Sequence, residues 1–174
     1  TAMSGYFLTC TYNDENLPWA GDYAVLSKPD VQKFIKKLRK EHLKTCQSSK
    51  NLKKIPASFR YWPKKISYYA VGEYGPTTFR PHYHLLLFNL HPRVVLRLDE
   101  IWGKGRVKLL PINMGAIRYV TKYLVTHGGE SGIHMFLKEI SPEFSLMSKG
   151  IGFGYLDRAE AYHIDNMEFR VRFP

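Results

Sequence analysis

The chain has 174 residues, 44% of them apolar and 14% aromatic, which excludes wholesale disorder and leaves ample material for one hydrophobic core. Lys and Arg number 26 against 15 Asp and Glu, a formal net charge of +11. That balance suits a polyanionic partner, nucleic acid first, although an acidic protein or a membrane surface fits the charge alone equally well.

No apolar run approaches the roughly 20 residues of a membrane helix. Residues 1–5, Thr-Ala-Met-Ser-Gly, lack the basic and apolar regions of a signal peptide and read as an expression scar. Cys10 and Cys46 match no zinc spacing and form no disulfide framework, so a reducing cytoplasm is expected. No G-x-x-x-x-G-K-[ST] loop is present, so the sequence carries no sign of a nucleotide-driven motor.

In chain order, Tyr6-Phe-Leu-Thr-Cys-Thr-Tyr12 is aromatic and β-branched and reads as a strand, closed by a loop from Asn13 to Pro18. Ser27-Lys-Pro-Asp30 resembles a capping box with an early proline. Behind it Val31, Phe34, Ile35 and Leu38 recur at helical spacing, which predicts an amphipathic helix to about His42, with an exposed loop over Cys46–Lys54. Ile66–Glu73 and His82–Phe88 read as strands joined through the Gly- and Pro-containing stretch Tyr74–Pro81. Val94–Trp102 reads as a short helix, Arg106–Leu110 as a strand and Gly115–His127 as a helix ended by Gly128-Gly129. Glu168–Phe173 alternates with period two and suggests a last strand. The order of elements predicts an α+β fold, an antiparallel sheet flanked by helices.

Chemistry concentrates in two places. On a strand, His82 and His84 point to the same face, so both imidazoles can reach one cation. Two ligands alone are few, and a hydrogen-bonded pair at a sheet surface is the commoner arrangement. Glu73 adds a third. If its strand pairs with the next, the carboxylate meets either His82 or His84 across the ladder, and in both registers it stands on the histidine side. Two imidazoles and a carboxylate leave open positions on a cation, which suits catalysis better than a closed structural zinc. As a rival reading, Glu73 is a solvated strand end or a partner of Arg80.

The second place is Tyr119-Val-Thr-Lys122-Tyr123. At about 100° per residue, Ile117, Val120, Thr121 and Leu124 fill the apolar stripe. Tyr119, Lys122 and Tyr123 stand opposite, although another helix–sheet contact could bury both rings. Tyrosine is a weak nucleophile at neutral pH, helped by a nearby ammonium and by a cation that polarises a phosphate oxygen. Attack on a phosphodiester by a side chain stores the bond as a phosphotyrosine, so rejoining needs no ATP.

With these residues in view the chain resembles the HUH endonucleases, and within them the rolling-circle replication initiators of small single-stranded DNA phages (Microviridae, gokushovirus-like). Phe7-Leu-Thr-Cys-Thr-Tyr-Asn-Asp-Glu-Asn-Leu-Pro18 is similar to the family's first motif. Val71-Gly-Glu-Tyr-Gly75 and Arg80-Pro-His-Tyr-His-Leu-Leu-Leu-Phe-Asn89 are similar to its metal motif. Tyr119-Val-Thr-Lys-Tyr123 is similar to its nucleophile motif, and Phe144-Ser-Leu-Met-Ser-Lys-Gly-Ile-Gly152 to a segment that follows in such phage proteins. The resemblance implies an HUH-nuclease, RNA-recognition-like sandwich over a single domain, 1–174, trimmed of a Cys-rich region. It implies His82, His84 and Glu73 as ligands of Mg²⁺ or Mn²⁺, Tyr119 and Tyr123 as alternating nucleophiles, and Lys122 as a steadying charge on phosphate or phenolate.

The expected activity is site-specific nicking and joining of an origin in single-stranded DNA through a 5′-phosphotyrosine, in the cytoplasm of a bacterial host, with host helicase and polymerase as partners and no membrane. Arg80, Lys104, Arg106, Lys108 and Lys149 are the DNA-binding candidates. Tyr61 and Trp62 suit base stacking or core packing equally. His91, His127 and His134 read as ordinary surface or loop residues, and Gly150, Gly152 and Gly154 as a plain loop. The rivals are a related transposase or relaxase, and a non-catalytic single-stranded nucleic-acid-binding module.

Overall fold

Period-two alternation lays down a sheet with two different faces. The computed structural model describes residues 2–49, 62–63, 65–126, 140–154, 159 and 164. Gly5–Thr11 forms β1, Ser67–Tyr74 β4, Pro81–Phe88 β5, Val107–Pro111 β6 and Phe144–Met147 β7. They make one five-stranded sheet in the order β6-β1-β5-β4-β7, every neighbouring pair antiparallel. A separate two-stranded hairpin, β2 (Trp19–Ala20) and β3 (Tyr23–Ala24), follows a 3-10 turn at Asp14–Asn16. The helices are α1 (Lys28–Ser49), α2 (Pro92–Val95), α3 (Leu98–Trp102) and α4 (Met114–Thr126). The α+β expectation holds.

One face carries the main core. Leu8 and Cys10 of β1, Ala70 of β4 and Tyr83, Leu85 and Leu87 of β5 are buried against Val31, Phe34, Ile35 and Leu38 of α1, with Ile101 and Trp102 of α3 closing the end. Burying such side chains stabilises the fold by about 1.5–3 kcal/mol each. Behind the strands, the Tyr12 hydroxyl donates to Asp30 Oδ2 at 2.9 Å and lies 2.8 Å from the Tyr83 hydroxyl, and the Ser27 N–H donates to Tyr83 Oη at 2.8 Å. Tyr83 is thereby fixed from the core side, between two histidines that point the other way.

The opposite face is thinner. Tyr69, Val71 and Leu86 pack against Val120 of α4, with Phe7, Phe88, Ile112 and Ile117 at the margin. Beyond this patch the same face turns polar, through Thr9, Thr11, Glu73, His82 and His84.

Three expectations need correction. The first helix runs to Ser49 rather than stopping near His42, so Cys46 lies in a helix and is buried, not in a loop. The stripe Val31, Phe34/Ile35, Leu38 continues through His42 and Cys46, whose polar atoms disguise it. His42 accepts from the His91 N–H through Nδ1 at 3.2 Å and lies 2.7 Å from the Pro63 carbonyl through Nε2, and burial lowers its pKa. His91 is fully buried and caps α2 rather than lying at the surface. Val94–Trp102 splits into α2 and α3, divided at Leu96 and Arg97.

The proposed strand at Glu168–Phe173, Tyr61, His127, His134 and Gly128-Gly129 lie outside the described residues. Trp62 packs and does not stand free: its indole N–H donates to the Asn89 carbonyl at 2.7 Å and its ring meets His91 edge-on.

Candidate active site

Cross-strand pairing assembles the polar cluster. Glu73 on β4 is directly opposite His82 on β5, while His84 is opposite Thr9 on β1, so all four side chains share one face. The Glu73 carboxylate, 2% exposed, sits between the imidazoles. Its Oε1 lies 3.0 Å from His82 Nε2 and 2.7 Å from His84 Nε2. The two registers left open by spacing are thus both used, one by direct pairing and one diagonally.

The far side of each ring is anchored. His82 Nδ1 lies 3.2 Å from the Arg80 carbonyl, and His84 Nδ1 lies 3.0 Å from Thr9 Oγ1. Phe7 stacks on His84 at 5.2 Å and 9° between planes. A carbonyl at Nδ1 demands N–H there, which turns the Nε2 lone pair inward. This is the tautomer and the outer support that metal-binding histidines use.

Glu73, His82 and His84 are the group of metal-ligand type found among the described residues, with one donor atom from each within 4.8 Å of the others. The donor set fits a divalent cation with open positions. A buried carboxylate facing two imidazoles also needs positive charge for its own sake.

Tyr119 completes the site. From α4, its hydroxyl donates to the same Glu73 Oε1 at 2.6 Å, and its ring stands edge-on to His84 at 5.1 Å. The helix is seated by Val120, fully buried on the apolar patch, while Tyr119 remains 45% exposed. The predicted separation of stripe and tyrosine therefore holds for Tyr119. Lys122 is exposed on the same helix. The Tyr123 side chain lies outside the described residues.

The electrostatics follow from this geometry. Burial pushes the Glu73 pKa up, but hydrogen bonds from His82, His84 and Tyr119 outweigh it and bring it down to about 2. Burial pulls His82 down, and its bonds to Glu73 and the Arg80 carbonyl, with the Glu73 charge, outweigh that and raise it. Tyr119 is raised above the ordinary phenol value by burial, then by its bond to Glu73 and the charges of Glu73 and Glu143. Without a cation, the cluster holds an ionised carboxylate and a neutral phenol.

Beside the cluster, Thr9, Thr11, Arg106 and Lys108 line a cavity of about 340 Å³ between β1 and β6. Gly105 makes that edge possible: at φ +148°, any side chain there would run into the Thr11 carbonyl. Of the other cationic candidates, Arg80 is paired with Asp14 at 2.7 Å and donates to the Tyr12 carbonyl. Lys104 lies 3.4 Å from Asp30, and Lys149 is exposed in the turn after β7.

Sequence reasoning missed Thr9, Thr11 and Phe7 as supports, although their alternation in β1 already placed them on one face. It also missed Glu143. No local signal marks Glu143; β7 brings it beside β4, where its Oε1 accepts from the Tyr74 N–H at 3.2 Å.

Sheet, helices and a His–Glu–His cluster under a tyrosine define a protein of the replication-associated class. The family model for the replication-associated protein ORF2 matches residues 5–127, and the chain belongs to that family. It is 31% identical over 142 residues to the replication-associated protein VP4 of Bdellovibrio phage phiMH2K, covering 71% of this chain and 40% of that protein. It is 27% identical over 174 residues to the replication-associated protein ORF2 of Spiroplasma virus 4, covering 86% of this chain and 46% of that protein. Both relatives come from Microviridae-type phages with single-stranded DNA. The chain thus spans less than half the length of either.

Proposed function

We propose that this chain is the nicking and joining domain of a phage replication initiator, acting on single-stranded DNA through a 5′-phosphotyrosine. One observation carries the reading: the Tyr119 hydroxyl and both histidine Nε2 atoms converge on a single oxygen of Glu73. A structural ion pair would not need an exposed phenol at its mouth.

Glu73, His82 and His84 would hold the cation, Mg²⁺ or Mn²⁺, with the two imidazoles favouring the latter. Bound there, it would polarise a phosphate oxygen and draw the Glu73 charge away from the phenol. The chain's own residues do the rest. Tyr119 Oη forms a bond to phosphorus as the P–O3′ bond breaks. The phenol proton leaves along the hydrogen bond toward Glu73 Oε1, and O3′ takes up a proton to become a free 3′ hydroxyl. In the reverse direction that hydroxyl attacks the phosphotyrosine, re-forms the phosphodiester and releases Tyr119.

Lys122 steadies the phosphate, and Tyr123, one turn on, serves as the second nucleophile for a second cut while the first 5′ end is still attached. Arg106 and Lys108, in their cavity, and Lys149 bind the strand. Arg80 and Lys104, each paired with an acid, contribute less charge. Host helicase and polymerase extend the 3′ end in the bacterial cytoplasm, and 1–174 act as one domain. Among the described residues no helix is long and apolar enough to cross a membrane. Membership of a replication-associated family favours this reading over a transposase or relaxase.

The test is a covalent protein–DNA adduct with a single-stranded origin oligonucleotide and Mn²⁺ or Mg²⁺, mapped by peptide analysis. The adduct should fall on Tyr119 and, in Tyr119→Phe, shift to Tyr123; the double variant should form none. Absence of any adduct, or undiminished cutting in chelator, would overturn the reading in favour of a binding module.

A further inference from the structure

The turn between β4 and β5 holds an aromatic side chain in an unusual backbone. Phe79 has φ +51°, a left-handed conformation natural to glycine or asparagine and rarely adopted by a bulky side chain. Packing within the described residues does not explain it, since Phe79 is 52% exposed.

The conformation is firmly held. The Phe79 N–H donates to the Gly75 carbonyl at 3.0 Å, and the Gly75 N–H to the Arg80 carbonyl at 3.1 Å. Arg80 is clamped in turn by Asp14 and the Tyr12 carbonyl. That same Arg80 carbonyl faces His82 Nδ1 at 3.2 Å. A strained, outward-facing ring and the orientation of a site histidine therefore depend on one turn. Strain retained beside a reactive cluster points to use of the ring.

We propose that Phe79 is a stacking platform for an unpaired DNA base next to the phosphate handled at Glu73, His82 and His84. The inference rests on the single-stranded DNA reading of that site. A base fits better than a protein or lipid partner for two reasons. The ring stands alone among exposed Pro76, Thr77 and Thr78 and the half-exposed Arg80, so it offers one flat face and no apolar patch. The chain's charge of +11 also draws a polyanion to this surface. Stacking accepts any base, so Phe79 would set the strand's register and affinity rather than its sequence.

The experiment uses the full chain with Tyr119→Phe to prevent cutting, and two fluorescein-labelled single strands of equal length, one with bases and one abasic. Phe79→Asn keeps a residue that tolerates the left-handed backbone, so its melting temperature should equal or exceed that of the parent. It should weaken binding of the normal strand roughly 5- to 150-fold and leave binding of the abasic strand unchanged. Phe79→Trp should restore the loss, and Leu96→Ala, at an exposed apolar position beside α2, should bind both strands as the parent does. Equal losses on both strands, or no loss on either, would overturn the proposal while leaving the DNA reading intact. A parent protein that binds neither strand would overturn both.

Discussion

The two faces of the sheet are made from the same strands and serve opposite purposes. On the α1 face every inward position is apolar or an internally bonded tyrosine, and the layer is dry. On the α4 face the apolar patch covers only one end, and Glu73, His82, His84 and Tyr119 occupy the rest. Neighbours in sequence are thus separated in role. Tyr83 braces β5 from the core while the histidines on either side of it face the chemistry. Rigidity is supplied from behind and reactivity is displayed in front, which lets a polar cluster be held to a few tenths of an ångström.

The largest effect should come from the front face. His84→Ala or Glu73→Gln should reduce DNA cutting by roughly a thousandfold or more while sparing most DNA affinity, which rests on phosphate contacts by Lys and Arg. Leu85, next in sequence but fully buried on the other face, should behave in reverse. Leu85→Ala should cost about 2–5 kcal/mol of stability and, below its melting transition, cut DNA at nearly the parent rate. Denaturant unfolding and a nicking assay on both variants decide the matter; similar losses of activity in the two would break the division between faces.

Much of that division was legible in advance. Alternation in His82-Tyr83-His84 and the odd separation from Glu73 were sufficient to put three ligand types on one side of the sheet. The helical period of Ile117, Val120 and Thr121 released Tyr119 from the core. Long-range supports were harder to see. Thr9 and Phe7 matter only because β1 pairs with β5, a partnership about 75 residues apart, and β7 is four residues whose partner strand lies far upstream. His42 and His91 were hidden for a different reason: buried polar side chains that bond each other's backbone look, in sequence, like surface residues.

A smaller effect should come from the support beneath a ligand. Thr9→Val keeps the shape and removes the oxygen that faces His84 Nδ1. Loss of such an outer partner should weaken Mn²⁺ binding about 10- to 100-fold, measured by calorimetry, with little change in melting temperature. Thr9→Ser should recover the affinity. If Thr9→Val binds Mn²⁺ as tightly as the parent, the Phe7 ring alone orients His84.

The smallest effect should be a pH window for stability in chelator. The folded pKa of Glu73, about 2, is below its ordinary value of 4.5. Its contribution is therefore complete above pH 4.5 and is lost as pH falls from there through about 2. The folded value of His82 lies above its ordinary 6.5, so its contribution is complete below pH 6.5 and is lost as pH rises through the raised value. The two overlap between 4.5 and 6.5, where the cation-free cluster should contribute most, with melting temperature falling by a few degrees on either side. Mn²⁺ should reshape the upper limb. A cation must displace the His82 proton, so the rise in melting temperature that Mn²⁺ produces should grow from about pH 5.5 to about pH 8. Both dependences belong to the front face, and Glu73→Gln removes the charge they share. Thermal melts of that variant should show a flatter profile and little response to Mn²⁺. If Glu73→Gln keeps the parent's optimum, the pH dependence arises elsewhere, with the Tyr12–Asp30 network of the other face the first place to look.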